Sequence, residues 1–240
     1  MRLLFWNWEG GYMNERYFNF PVQLLSGLLL DHQQCLQKVL YYSLYAYGLK
    51  LSGNQNQRIK ESAEYFRVTL GNLSQVNEIG SELVEKFSSN SPMTGITTSV
   101  FWKYYGQQKT EWDKAILLAF LAMKSIVGNK PYLKMDNKYW LSRMAGETHS
   151  IPVHCLPPEI FKYANEYQTK KLKSELSEFW GLVTYSRYTR GFYVSFKLPL
   201  KELILEAEKR RKSTRLLKAK MEQEEALKEA LAELGIRKPP

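Results

Sequence analysis

The stretch from Tyr167 to Leu198 constrains the fold most, because it predicts a helix that runs directly into a β-hairpin. Three apolar side chains in its first half recur at the i, i+4, i+7 spacing of a buried helical stripe: Leu172, Leu176 and Phe179. Gly181 follows at the position where a left-handed residue commonly ends a helix. The helix should therefore stop at Trp180.

The residues after this glycine have the period of a strand with one buried face. Apolar and polar residues alternate from Phe192 to Leu198, and an earlier run from Val183 to Arg187 keeps the same period. A short Tyr-Thr-Arg-Gly turn separates the two runs, and its Gly191 can supply a positive φ. We predict an antiparallel hairpin with Arg187 and Arg190 at its tip.

The opposite side of the predicted helix is polar and basic. On a helical wheel of about 100° per residue, four residues lie roughly 145° from the apolar stripe. These are Lys170, Lys173, Ser174 and Ser177. They form a short, positive, hydrogen-bonding face that should point at solvent and could enter a groove.

Two helices and a strand are predicted before this stretch. Thr110 and Asp113 form a T-x-x-D capping sequence ahead of a segment that is apolar nearly all round, so this helix should be central and buried. Residues 132–135 can form a short strand. Asp136 then caps a helix that Gly146 closes.

This order of helix, strand, helix, and later helix, strand, strand resembles the winged-helix family over residues 112–198. In that family the helix that corresponds to residues 169–180 typically lies in the major groove of double-stranded DNA, and the hairpin tip reaches a neighbouring groove or the phosphate backbone. The resemblance implies that DNA is contacted by Thr169, Lys170, Lys173, Ser174, Ser177, Arg187 and Arg190. Residues 147–166 depart from the family, which has a tight turn there, and this insertion could reposition or cover the polar face.

The net charge of +10 is concentrated in one part of the chain. Residues 130–220 hold 19 Lys and Arg against 9 Asp and Glu, whereas residues 1–129 hold 12 against 10 and residues 221–240 hold 3 against 5. Segregation of this kind is expected when one half binds a polyanion, although solubility charge is the alternative interpretation.

We predict a mainly α fold with a small β-hairpin, divided into four parts. Residues 1–12 are a separate tail. The codons of their Glu-Gly-Gly sequence can spell a purine-rich ribosome-binding sequence just before Met13, so we hypothesise that translation begins at that methionine. Residues 13–108 form an N-terminal all-α module with helices over about 31–47, 55–68 and 74–87. Four tyrosines of the first helix are interpreted as packing between helices rather than as platforms for single-stranded bases. Residues 109–200 form the winged-helix domain, and residues 201–240 a charged C-terminal helix.

The C-terminal helix has a divided charge. Residues 209–220 contain seven basic residues and no acid, whereas residues 222–233 contain five acids and one lysine. This pattern leaves three possibilities open: a solvated helix docked through part of one face, antiparallel pairing in a homodimer, and direct contact with phosphates.

Several other function classes lack their signatures. No run of 18 apolar residues predicts a membrane span, and two distant cysteines fit a reducing compartment. Phosphate-loop, dinucleotide-binding, H-E-x-x-H and G-x-S-x-G motifs are all missing from the sequence. A zinc site from His32, Cys35, His154 and Cys155 has poor ligand spacing, so we predict no metal and no cofactor.

We therefore expect a non-enzymatic, cytoplasmic protein that binds double-stranded DNA with modest or shape-based sequence preference. Lysine and serine discriminate between bases less strictly than a bidentate arginine does. Its role would be transcriptional regulation, or replication or maintenance of a mobile element. The alternative is a protein–protein interaction module built on the same winged-helix scaffold.

Overall fold

A long apolar helix, α5 (Glu111–Val127), lies at the centre of the computed structural model, which describes residues 15–87, 91–186 and 191–233. Its N-terminus has the predicted capping box, in which Thr110 Oγ1 accepts from the Asp113 amide and the Asp113 carboxylate accepts from the Thr110 amide. Nine of its residues are buried: Ala115, Ile116, Leu117, Leu118, Ala119, Leu121, Ala122, Met123 and Val127. The prediction of a central, buried helix is confirmed.

Three helices form a bundle in the N-terminal region: α1 (His32–Gly48), α2 (Gln55–Phe66) and α3 (Leu73–Lys86). All three were predicted, and each begins after an Asp or Asn whose side chain accepts a hydrogen bond from the first turn. Helices α1 and α3 approach closely at Gly80, where an added Cβ would lie 2.6 Å from the Cβ of Tyr45. Tyr41 and Tyr42 are buried in this bundle, which confirms that they pack between helices.

A two-stranded antiparallel sheet joins this bundle to α5, and the sequence analysis did not predict it. Strand β1 (Tyr17–Pro21) pairs with β2 (Met93–Thr97), and β2 leads directly into α4 (Thr98–Tyr105). Phe18 and Phe20 point from β1 into the core. The region predicted to contain only helices therefore also contains a small sheet.

A second, three-stranded sheet follows α5. Strands β3 (Leu133–Met135), β4 (Val183–Tyr185) and β5 (Phe192–Ser195) are antiparallel and lie in the order β3-β5-β4. Between β3 and β4 come α6 (Asn137–Met144), α7 (Pro158–Phe161) and α8 (Glu166–Phe179). Gly191 has the predicted positive φ, and a Cβ there would lie 2.5 Å from the Met135 carbonyl oxygen, so this position requires glycine.

One hydrophobic core spans both predicted domains. Its buried residues run from Phe18 in β1 through Leu117 in α5 to Val194 in β5. The fold is mainly α with small β elements, as predicted. No helix among residues 15–87, 91–186 and 191–233 is long and apolar enough to cross a membrane.

The last helix, α9 (Leu200–Glu233), is attached to this core only near its start. Leu203 and Ala207 are buried, and α9 packs there against β4 and β5. The side chains of residues 212–229 are exposed. Most of α9 therefore extends away from the domain as a solvated helix.

Candidate nucleic-acid interface

Helix α8 carries the predicted DNA-binding face and is held firmly in the fold. Asn165 caps its N-terminus by accepting from the Gln168 amide at 2.8 Å. Leu172 and Leu176 are fully buried, and the helix packs against α5. Gly181, with φ +67°, follows its end. The predicted helix and its glycine stop are confirmed.

The polar face of α8 is accessible. Lys170, Ser174 and Ser177 are all exposed. The insertion that precedes α8 could have covered them, but it packs elsewhere: Leu156 and Ile160 are buried in the core, and Lys162 forms an ion pair with Glu111 at the start of α5. The insertion therefore leaves the face open.

Thr169 does not belong to this face. Its side chain is buried, and its hydroxyl donates to the backbone carbonyl oxygens of Asn165 and Glu166, each at 3.0 Å. Thr169 was predicted to contact DNA, but its buried side chain removes it from the accessible face. A signal was present in the sequence, since Thr169 lies three residues before Leu172 and seven before Leu176, in register with the apolar stripe.

Phe179 also departs from its predicted position. It was assigned to the buried stripe with Leu172 and Leu176, yet 44% of its surface is exposed. It is the last residue of α8, where the helix leaves the core and the chain turns at Gly181. Together with Tyr167, of which 70% is exposed, it adds aromatic surface to the two ends of α8.

Lys173 lies where the α8 face meets the three-stranded sheet. Its side chain is half-buried, and its Nζ is 4.0 Å from the ring centroid of Phe192 in β5. Burial, and then the neighbouring charge of Lys170, lower the pKa of the Lys173 ammonium. A cation over an aromatic ring is attracted by the ring face, so Phe192 holds this lysine toward the hairpin.

Lys170 is paired with a carboxylate that was not predicted from the sequence to be its partner. Its Nζ is 2.8 Å from Glu166 Oε1, one helical turn earlier, and both side chains are largely exposed. The hydrogen bond from Lys170, and then its charge, hold the pKa of the Glu166 carboxyl below its ordinary value. Exposed pairs of this type contribute little stability, so a phosphate can replace Glu166 at low cost.

The two arginines predicted at the hairpin tip, Arg187 and Arg190, lie outside the described residues. The same holds for the proposed tail at residues 1–12 and the alternative start at Met13. Strands β4 and β5 confirm the hairpin itself.

The cysteines and histidines considered for zinc have other environments. Cys35 is buried and donates to the Leu24 carbonyl oxygen at 3.0 Å, and burial raises the pKa of its thiol to about 12. Cys155 is exposed. In the part of the chain that the structure describes, His, Cys, Asp and Glu side chains form no cluster of three or more suited to a metal ion.

Comparison with known proteins adds no relative to this description. No family model matches the chain, and neither the curated proteins nor the solved structures include a significant match. Any function must therefore be argued from the residues themselves.

Proposed function

We propose that the protein binds double-stranded DNA through a winged-helix domain, with the exposed face of α8 in the major groove. The observation that carries this proposal is the accessibility of Lys170, Ser174 and Ser177 on a helix that is fixed from behind by Leu172 and Leu176. A rigid helix with a free polar face meets the steric requirement for groove binding.

The chain topology gives further support. Helix α5, strand β3, helix α6, helix α8 and the β4–β5 strands occur in the winged-helix order, with the insertion that carries α7 between α6 and α8, and β5 lies between β3 and β4. In this arrangement Lys173 sits between the α8 face and β5 through its contact with Phe192. Helix and hairpin could then bind one duplex together.

The chemistry of the face predicts how the duplex is read. Lysine and serine bond readily to phosphate oxygens and discriminate only modestly between bases. Affinity should therefore come mainly from phosphate contacts, and any sequence preference from DNA shape. Whether such binding serves transcriptional control or the replication or maintenance of a mobile element depends on where the target site lies.

The test is a duplex titration at several salt concentrations with a double variant, Lys170→Ala with Lys173→Ala. The wild type should lose affinity steeply as salt rises, and removal of two phosphate contacts should reduce the slope of log K against log salt by about 2. Lys50→Ala with Lys60→Ala is the matched control, because both lysines are exposed in the N-terminal bundle and the change in net charge is the same. The proposal fails if wild type does not bind duplex at low salt, or if both double variants flatten the slope equally.

A second candidate function is a protein-interaction module. It is favoured by exposed aromatic side chains on α8 and on the insertion, namely Tyr167, Phe179 and Phe161. Exposed apolar groups of this size are typical of partner-binding surfaces when they are contiguous. Absence of duplex binding at low salt would favour this candidate.

A further inference from the structure

A second basic surface lies on the outer face of the three-stranded sheet. Lys134 pairs with Tyr193, and Tyr193 pairs with Tyr185, so these side chains form one row across β3, β5 and β4. The row faces away from Phe192 and Val194, which are buried on the other side. The two tyrosine rings are near-parallel, at 29° and 6.5 Å between centroids, and Lys134 Nζ is 5.8 Å from the Tyr193 ring.

Helix α9 completes this surface as a groove. Ala207 is buried, and the next turns place Arg210, Arg211, Arg215 and Lys218 along the row of sheet residues. The groove has a volume of about 300 Å³. At about 1.5 Å per residue, the four basic residues extend for roughly 12 Å along the helix axis. This span suits a few nucleotides.

The groove is strongly positive. Among the residues that the structure describes, five cations line it, Lys134 and the four from α9, against one carboxylate, Glu208. Glu208 already accepts from the Tyr185 hydroxyl at 3.0 Å and lies 3.6 Å from Arg211. Within the described residues Lys218 lies 3.8 Å from the Glu222 carboxylate in an exposed pair, whereas Arg210 and Arg215 form no ion pair. Glu208 therefore orients Tyr185 and Arg211, Arg210 and Arg215 are available to an anion, and a phosphate can replace Glu222 at Lys218 at low cost.

We infer that this groove binds a single strand of nucleic acid, with phosphates on the α9 cations and bases against the tyrosine rings. Sites of this kind combine a cationic track with aromatic side chains on which bases stack. A duplex offers phosphates and base edges, but its base faces are already stacked on one another, so the rings of Tyr185 and Tyr193 would have no base to stack on. The inference concerns a surface separate from the α8 face and does not depend on duplex binding there.

The test is fluorescence anisotropy of the full chain with a labelled oligothymidylate of about twelve nucleotides, at about 50 mM salt. Arg215→Glu with Lys218→Glu should weaken binding by about tenfold or more, because attraction to two phosphates becomes repulsion. The matched control is Lys209→Glu with Lys220→Glu, on the same helix, with the same change in charge. Those two lysines are exposed and lie on the opposite side of α9 from the groove, so this variant should bind within about twofold of wild type.

A third variant tests the aromatic part of the site. Tyr193→Leu keeps an apolar side chain in β5 but removes the stacking surface, and should weaken oligothymidylate binding by about fivefold or more. A thermal unfolding curve that remains cooperative shows that the variant is folded; if it is not, Tyr193→Phe, which retains the ring, should bind as wild type does. Four outcomes would each overturn the inference. These are an equal loss of affinity in both charge-reversal variants, unchanged binding by folded Tyr193→Leu, weakened binding by Tyr193→Phe, and no binding by wild type. Lys170→Ala with Lys173→Ala should leave oligothymidylate binding within about twofold, so the α8 and α9 proposals can fail separately.

Discussion

Helix α8 carries three lysines and α9 carries both lysines and arginines, but the surroundings of these charges differ between the two helices. On α8, Glu166 pairs with Lys170 and the Phe192 ring covers part of Lys173, while Leu172 and Leu176 fix the helix to α5. On α9, the basic residues after Lys201 all lie beyond Ala207, the last side chain of this helix that is seen to be buried among the described residues. Helix α8 therefore presents few cations on a helix that is packed against the core, and α9 presents many cations on a solvated helix.

This difference matters for the kind of ligand each helix suits. A rigid helix with a short polar face can present its side chains at fixed positions in a groove, which favours orientation over raw affinity. A solvated helix with several cations favours non-specific attraction to phosphates. Stability, proteolysis and binding measurements on the two helices test how far this contrast extends.

The largest effect should come from removing the anchor of α8. Leu176→Ala leaves a cavity against α5 and should lower the free energy of unfolding by about 3 kcal/mol. Leu217→Ala on α9 is the matched control, because 62% of Leu217 is exposed and its truncation should cost no more than about 0.5 kcal/mol. Urea denaturation of the two variants measures the difference. Similar losses would mean that α9 is packed against a surface in solution.

Limited proteolysis should separate the helices by their local stability. Trypsin should cleave within residues 209–220 of α9 about tenfold faster than at Lys170, Lys171 or Lys173, since opening a solvated helix breaks few packed contacts. Mass spectrometry of the early fragments identifies the cut sites. First cuts in α8 would contradict the contrast between a fixed helix and a loosely attached one.

A smaller effect is expected when the carboxylate on the α8 face is neutralised. The pKa of Glu166 lies below its ordinary value, so the group stays charged at neutral pH and only substitution removes its charge there. Glu166→Gln releases Lys170 for a phosphate and should raise duplex affinity by about two- to tenfold, with a salt slope steeper by about 1. Glu178→Gln, an exposed change near the other end of α8, controls for net charge. Equal gains in both variants would show that general attraction, rather than Lys170, is responsible.

The smallest effect is expected at Thr169. Thr169→Val keeps the side-chain shape and removes only a hydroxyl that is bonded to the backbone of its own helix. The free energy of unfolding should fall by no more than about 1 kcal/mol, and duplex affinity should not change. A clear loss of duplex affinity in folded Thr169→Val protein would show that the Thr169 hydroxyl contributes to DNA binding.

Most helices of this chain could be predicted because their signals are local. The apolar spacing of Leu172 and Leu176, the caps at Asp31 and Thr110, and the apolar run of α5 each specify structure within a few residues. Strands β4 and β5 were predictable for the same reason, since only six residues separate them along the chain. The pairing of β1 with β2 was not, because its partners are more than seventy residues apart and each strand is only five residues long.

Local sequence patterns are sufficient to predict most of the helices and the concentration of positive charge in residues 130–220. Which of those charges are available to a ligand depends on tertiary packing. It left Lys173 half-buried against the ring of Phe192, and it brought Lys134 and Tyr185 beside Arg215 to make a groove. The physical reason is distance along the chain: caps and periodicity act within a turn or two, whereas a groove requires strands and a helix that meet only after the core has formed.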